Sequence, residues 1–202
     1  MALARQLVCV VEGQGDVEAV PILCERIRVF LQAWGWRVAA QPVRQQRSRL
    51  VDHKVVSPLR PPNADGLTRA VLLARQRGDA VLVVCDSDDD CPATWGPAAR
   101  DLATRLVASD AVMVVREYET WLLHACSHQE LMRHGIRDVE ARRGAKELLK
   151  RVLGDYRPTT HQLARTKALD LERVRARSDS FDKLVRALGG LFGVPTPPRP
   201  LV

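Results

Sequence analysis

Long apolar runs are absent from this 202-residue chain. None approaches the roughly 18–20 residues a membrane-spanning helix needs, so the sequence excludes a helical membrane protein and no membrane partner is expected. A secretory leader is not expected either: the first apolar run is about five residues long and meets Glu12 where a cleavage region would lie. The cytoplasm is therefore the expected compartment. The five cysteines (Cys9, Cys24, Cys85, Cys91, Cys126) contain no C-x-x-C pair. An odd set of this kind in a reducing compartment reads as small core residues, not as a disulfide framework or a thiolate metal site. No G-x-x-x-x-G-K-[ST] loop is present, which excludes ATP hydrolysis by that route, and there is no G-x-S-x-G elbow. Gly13-x-Gly15 lacks the third glycine of a dinucleotide fingerprint.

What is present is an ordinary globular composition, 46% hydrophobic and 27% charged, long enough for one domain with a full core and a helical appendix. The net charge of +7 is notable because the most suggestive residues are acidic. A basic exterior around a carboxylate–metal centre suits a polyanionic substrate, whereas arginines scattered on helix faces would account for the same excess without one.

Three short β-branched or apolar runs end in acids. LVCVV meets Glu12, VLVV meets Asp86-Ser87-Asp88-Asp89-Asp90, and AVMVV leads into Arg116-Glu117-Tyr118-Glu119. Such runs read as buried strands, and in open parallel α/β sheets their carboxyl ends form the ligand-binding edge. The spacing predicts strands at 7–11, 36–43, 80–85 and 111–115. Helices are predicted at about 16–34, 66–76 and 97–109, the first with Val20, Leu23, Ile27, Phe30, Leu31 and Trp34 on its apolar face. The β-α-β-α-β-α-β order predicts a mainly parallel four-stranded sheet flanked by helices. A C-terminal helical extension follows, ending in an amphipathic helix from about Ser180. The expected division is an α/β core over 1–126, a helical extension packed on it over 127–192, and a Pro-rich tail over 193–202 that should not pack. Residues 44–64 read as a loop carrying Arg44, Arg47, Arg49, Lys54 and Arg60, either a solvated excursion or an electropositive flap over the site.

Asp86-x-Asp88 directly after a buried strand can turn two hard oxygen donors toward one Mg2+ or Mn2+ ion. Glu12 leaves its strand through Gly13 and Gly15, which let the backbone turn, and Asp16 stands at the helix start to cap amides or ligate a metal. Asp89 and Asp90 read as solvated. Of the next pair, Glu119 beside Trp121 is the expected buried member and Glu117 lies nearer the strand end; either supplies a further oxygen. His124 and His128, four apart, have a zinc-compatible spacing but no third ligand nearby.

An isolated glutamate followed by D-x-D after a later strand, in a four-stranded parallel α/β unit, resembles a Toprim domain. That domain is the catalytic module of topoisomerases, bacterial primases and overcoming-lysogenization-defect (OLD) nucleases. VEGQGDVEAVPIL, CDSDDDCPATWG, REYETWLL, YRPTTHQ and RSDSFDKLVRAL together resemble the bacterial Toprim-like family labelled domain of unknown function 4276, over about residues 7 to 190. The resemblance implies catalytic roles for Glu12, Asp86 and Asp88, and a metal-ligand set of Glu12, Asp16, Asp86, Asp88 and Glu117 or Glu119. Lys146, Lys167 and the Ser178–Phe181 region fall in recurring C-terminal motifs, so Lys146, Lys167 and Ser180, with Arg47 and Arg49 from the basic loop, are candidate phosphate or nucleic-acid contacts. Many OLD-like proteins carry an ATPase domain and this chain does not, which implies a separate ATPase partner, as in defence-associated gene pairs.

The leading expectation is a Mg2+/Mn2+-dependent nuclease acting on DNA ahead of RNA, in phage defence or DNA processing. The alternative from another class is a non-catalytic nucleic-acid- or nucleotide-binding subunit that regulates an ATPase. A third reading, an aspartyl-phosphate phosphatase with Asp86 as nucleophile, departs from the usual pattern because the loop is on the third strand and Asp90 stands where threonine is normal.

Overall fold

The computed structural model describes residues 4–141 and 143–201. In chain order it builds β1 (Arg5–Val11), α1 (Asp16–Phe30), β2 (Trp36–Val38), β3 (Val43–Arg44), α2 (Arg47–Leu50), α3 (Ala64–Arg75) and β4 (Ala80–Asp86). Then follow α4 (Pro92–Thr104), β5 (Ala108–Val114), α5 (Tyr118–Ala125), α6 (His128–Arg133), α7 (Ala145–Leu153), α8 (Pro158–Lys167), α9 (Leu171–Arg177) and α10 (Asp179–Phe192). No helix among the described residues is long and apolar enough to cross a membrane.

The protein is an α/β structure with a parallel sheet in the order β2-β1-β4-β5, and β3 also pairs with β1. β2 and β3 are two pieces of one edge: Arg5–Leu7 pair with Trp36–Val38, and Val10 and Val11 with Val43 and Arg44. The single strand expected over 36–43 is thus interrupted, and Pro42 in the gap has no N–H to give a ladder. From β1 the chain moves to one side of the sheet, and from β4 to the other. The crevice at the carboxyl ends of β1 and β4 is therefore the topological switch point, where open α/β sheets take their ligands.

Side-chain alternation divides the core cleanly. Leu7, Cys9, Val11, Leu82, Val84, Val112 and Val114 face a layer built from α1, α5 and α10. Val8, Val10, Val81, Val83, Cys85, Ala111 and Met113 face α3 and α4. The helices beyond residue 126 share the first of these cores through Leu131, Leu148, Val174, Phe181 and Leu188.

Several expected boundaries shift for identifiable reasons. α1 stops at Phe30, and Gln32 in the left-handed region turns the chain, so Trp34 is exposed instead of lying on the apolar face. α4 begins five residues early, because Pro92 occupies the first helical position, where a missing N–H costs nothing; Pro97 lies inside the helix. Residues 44–64 are not simply a loop. Arg47–Leu50 form a helical turn, Val51 bridges to Pro62, and the Leu50 carbonyl accepts from the buried Trp95 indole at 3.2 Å. At Gly66 any Cβ would collide with the Arg49 carbonyl, so this glycine lets α2 and α3 meet.

The Pro-rich tail does pack, contrary to its composition. The Pro197 carbonyl accepts from Arg175 at 2.6 Å, and Arg199 reaches Asp179 at 2.5 Å and the Arg175 and Ala176 carbonyls. Arg175 is only 2% exposed and pairs with Asp182 at 2.7 Å, so the tail supplies one of the few acceptors that buried guanidinium has. A chain ending at Val194 should melt lower by roughly 2–6 °C, the size expected for losing hydrogen bonds to a buried charge. Thermal unfolding followed by circular dichroism checks this, and an unchanged midpoint would mean the tail contributes nothing.

Candidate functional site

The pleat decides how the acids approach one another. Val11 and Val84 face the α1 layer, so Glu12, one residue past Val11, turns toward α2, while Asp86, two residues past Val84, returns to the α1 side. The acids therefore reach the switch point in two groups that meet across the sheet edge.

The first group surrounds a guanidinium. Arg47 Nη1 lies 3.3 Å from Glu12 Oε2, Nε 3.2 Å from Asp88 Oδ2, and Nη2 2.7 Å from Asp90 Oδ2. The same side chain donates to the Asp86 and Ser87 carbonyls. Asp88 takes a left-handed backbone conformation, which aspartate tolerates, and this folds the chain so that Asp90 tucks beneath Arg47. Asp90 is consequently buried, not solvated, with Arg60 3.7 Å away and Oδ1 lacking a hydrogen-bond partner among the described residues. Asp89, by contrast, is exposed as expected.

The second group lies on the α1 side. Asp16 does not cap α1; its Oδ2 accepts from the Gly13 amide at 2.8 Å, closing the Glu12–Asp16 turn, and its Oδ1 accepts from Gln162 of α8 at 2.8 Å. A Cβ at Gly15 would meet the end of the Gln162 side chain, which would have to shift away from Asp16; the Gly15 backbone itself is not left-handed. Glu119, in the first turn of α5, is 4% exposed and accepts from the Tyr156 hydroxyl at 3.2 Å. Glu117 turns away to the start of α7, where the Lys146 amide donates to it at 3.0 Å. Asp86 is half-buried, and its carboxylate takes no hydrogen bond among the described residues.

These surroundings move proton affinities in one direction. Burial pushes the Asp86 carboxyl well above the usual carboxylate range, and Asp16, Glu12, Glu119 and Asp88 push it further. Burial also raises Glu12, with Arg47 pulling it back and Asp88 adding to the rise. Glu119 is raised by burial, against the pull of Lys146 and the Tyr156 hydroxyl.

Hard oxygen donors in mutual repulsion, one of them with neither a hydrogen bond nor an ion pair among the described residues, are the donor chemistry that suits Mg2+ or Mn2+. The residues that would hold such an ion are Glu12, Asp16, Asp86, Asp88 and Glu119. Among the described residues, however, no three donors already close on a single point, and Arg47 stands between Glu12 and Asp88. His124 and His128 offer no alternative, since one ends α5 and the other begins α6.

Beside the acids lie three arginines: Arg60 from the basic segment 44–64, and Arg116 and Arg143, which the sequence pattern does not single out. A cleft of about 610 Å³ is lined by Ser57, Pro58, Ser87–Asp90, Arg116 and Arg143, and a neighbouring one of about 320 Å³ adds Arg60 and Glu117. Asp89 holds Arg116 at 3.2 Å and Arg143 at 2.8 Å, gathering both arginines at the mouth. Exposed Lys146 lies near Glu119, whose proton affinity its charge lowers, and its amide donates to Glu117, but it lines neither cleft. Arg49 and Lys167 are exposed, and no ion pair joins either to the acids among the described residues. Ser180 is corrected: it is buried, and its hydroxyl is occupied by the Trp121 indole at 2.9 Å and the Val115 amide at 3.4 Å, so it cannot meet a phosphate. The signal for Arg116 lies in its place immediately after the third acid-ended run.

A raised acid is stabilised in its protonated form, so its contribution to stability is present below the unfolded pKa of about 4 and is lost as pH rises through the folded value. In chelator, the melting midpoint should therefore fall between roughly pH 5 and pH 8. Asp86→Asn should flatten that fall and raise the midpoint at pH 8, by about 2–4 °C for each kcal/mol of relief. A wild-type midpoint flat across this range would contradict the repulsion argued here. Comparison with protein-family models, with curated proteins and with solved structures finds no match to this chain.

Proposed function

We propose that this chain is a Toprim-type, divalent-cation-dependent nuclease. The observation that carries the reading is that Glu12, Asp16, Asp88 and Glu119 lie near enough to Asp86, at the switch point of a parallel sheet, to raise its proton affinity, while Asp88 also lines clefts that carry Arg60, Arg116 and Arg143. The order of those acids along the chain is also what resembles the Toprim and domain-of-unknown-function 4276 pattern. A bound Mg2+ or Mn2+ supplies an activated water and charge stabilisation at the leaving oxygen.

The chain's own residues do the rest. Glu12, Asp86 and Asp88 present carboxylates from two adjacent strands. Asp16 is fixed by Gly13 and Gln162, and Glu119 by Tyr156, so their orientation is set before any ligand arrives. Arg116 and Arg143 share one carboxylate, Asp89, and a phosphodiester at the cleft mouth offers them the same kind of oxygen. DNA is placed ahead of RNA, and a separate ATPase, in phage defence or DNA processing, is the partner that the resemblance suggests.

A second reading draws on Arg47. A guanidinium between Glu12 and Asp88 is what a non-catalytic subunit would use to stabilise acids that no longer hold a metal. The two readings differ in turnover. Purified protein with Mn2+ should cut plasmid, linear DNA or single-stranded DNA or RNA, and Asp86→Ala and Glu12→Ala should each reduce cleavage by about 100-fold or more. Nucleic acid retained without product, or equal cleavage by Asp86→Ala, would favour the regulatory reading.

A further inference from the structure

Arg47 makes an uneven set of contacts. Its Nη2 edge is anchored: it lies 2.7 Å from Asp90, whose side chain is fully buried, and 3.0 Å from the Ser87 carbonyl. Nη1 is likewise held by the Asp86 carbonyl, and it is the two other carboxylate contacts that are longer, Nη1 3.3 Å from Glu12 and Nε 3.2 Å from Asp88, whose side chain is 53% exposed. Arg47 thus serves three carboxylates, of which Asp90 also has Arg60 at 3.7 Å, while no other ion pair to Glu12 or Asp88 is found among the described residues. Asp90 takes the short contact, and Glu12 and Asp88 share the longer ones from the same guanidinium.

We propose that Arg47 is an exchangeable internal counter-ion: tethered through Asp90, its guanidinium occupies the space between Glu12 and Asp88 and gives up those two carboxylates when a divalent cation binds. The inference rests on the proposed function and deepens it by naming what controls entry to the metal site. Asp90 is the positioning residue here. It is buried, adjoins Asp88 and Asp89 in sequence, and keeps the displaced arginine at the site instead of releasing it to solvent. The anchoring helix α2 is itself held in place, since Asn63 accepts from the Gly66 amide and donates to the Ser48 carbonyl at 2.8 Å, and Trp95 binds the Leu50 carbonyl. Movement is therefore confined to the arginine side chain.

Two ligands that compete for the same carboxylates must be coupled reciprocally: the ion loosens Arg47, and weakening Arg47 tightens the ion. Lysine is the informative replacement. It keeps a positive charge for Asp90 but, as a point charge, cannot span Glu12 and Asp88 as a guanidinium does, so the buried carboxylate is not abandoned.

The experiment pairs two measurements on the full chain. Mn2+ binding is followed by electron paramagnetic resonance for wild type and Arg47→Lys. Arginine-directed dicarbonyl labelling of the wild type, mapped by peptide mass spectrometry, is run with and without Mn2+, with the exposed Arg49 of the same helix as the internal reference. The expected result is a Kd for Mn2+ about tenfold lower in Arg47→Lys, together with labelling of Arg47 that rises several-fold on Mn2+ addition while Arg49 does not change. Wild-type protein that binds Mn2+ while Arg47 labelling stays flat and Arg47→Lys binds no tighter overturns this inference alone. Absence of Mn2+ binding in both proteins overturns it together with the proposed metal site.

Discussion

Carboxylates gathered at the carboxyl edge of one sheet repel one another, and the upper half of this molecule is organised around that repulsion. Two such charges about 4 Å apart oppose each other by roughly 4 kcal/mol at an effective dielectric constant of 20. The fold answers in pieces. Asp90, Glu12 and Asp88 share Arg47; Asp89 shares Arg116 and Arg143; Asp16 receives the Gly13 amide and Gln162; Glu119 receives Tyr156. Asp86 alone among these acids has neither a hydrogen bond nor an ion pair to its carboxylate among the described residues, while burial and four neighbouring acids all raise its proton affinity. The compensation stops at the carboxylate nearest the centre of the switch point, and that is where an external cation has most to gain.

The C-terminal helices bear directly on this arrangement. α8 delivers Gln162 to Asp16, and the turn before it delivers Tyr156 to Glu119. Tyr118 and Thr166 join their hydroxyls at 2.8 Å, and Arg26 of α1 donates to the Thr166 and Leu169 carbonyls at 2.7 and 2.6 Å. These bonds fix the helical layer to α1 and α5, the two elements that carry Asp16 and Glu119. The residues after 126 therefore form one wall of the candidate site, and for that reason their apolar positions merge with the core of the sheet instead of making a separate one.

What can be read from the sequence, and what cannot, follows from the range of the forces involved. β1, β4 and β5 are legible because alternation and β-branching are local. Glu12, Asp86 and Asp88 are legible because a carboxylate closing a buried apolar run must face solvent or a ligand. Asp90 is hidden for the converse reason. In a run of four acids within five residues nothing local reveals that Asp88 turns left-handed and sends Asp90 inward. Arg47 looks like one of several loop arginines, since its depth depends on Gly66 admitting α2 against α3, a contact between segments 17 residues apart. Gly15 is legible as a turn glycine, but the side chain that a Cβ there would meet, Gln162, lies far along the chain. The packing of the tail is masked by its composition: proline-rich segments gain little from burial, and here the acceptors that a buried arginine requires hold it down.

The relation between the +7 charge and the acidic centre can now be stated in terms of position. A protein that merely bound a polyanion would have no use for half-buried carboxylates beside its cleft, since each of them repels the ligand. A protein that merely stored a cation would have no use for Arg60, Arg116 and Arg143 at the mouth, since each of them repels the ion. Under the proposed function the combination is self-consistent, the cation offsetting the acids and the anion offsetting the rim. Asp89 adds the last element, because it holds Arg116 and Arg143 at that mouth with contacts of 3.2 and 2.8 Å while itself remaining 44% exposed. A solvent-facing ion pair of this kind contributes little to stability, so exchanging the carboxylate for a phosphate costs the fold little. On the proposed reading, exchange at the rim and exchange at Arg47 are one device: internal counter-charges that stand in for a metal and a phosphodiester until both are present.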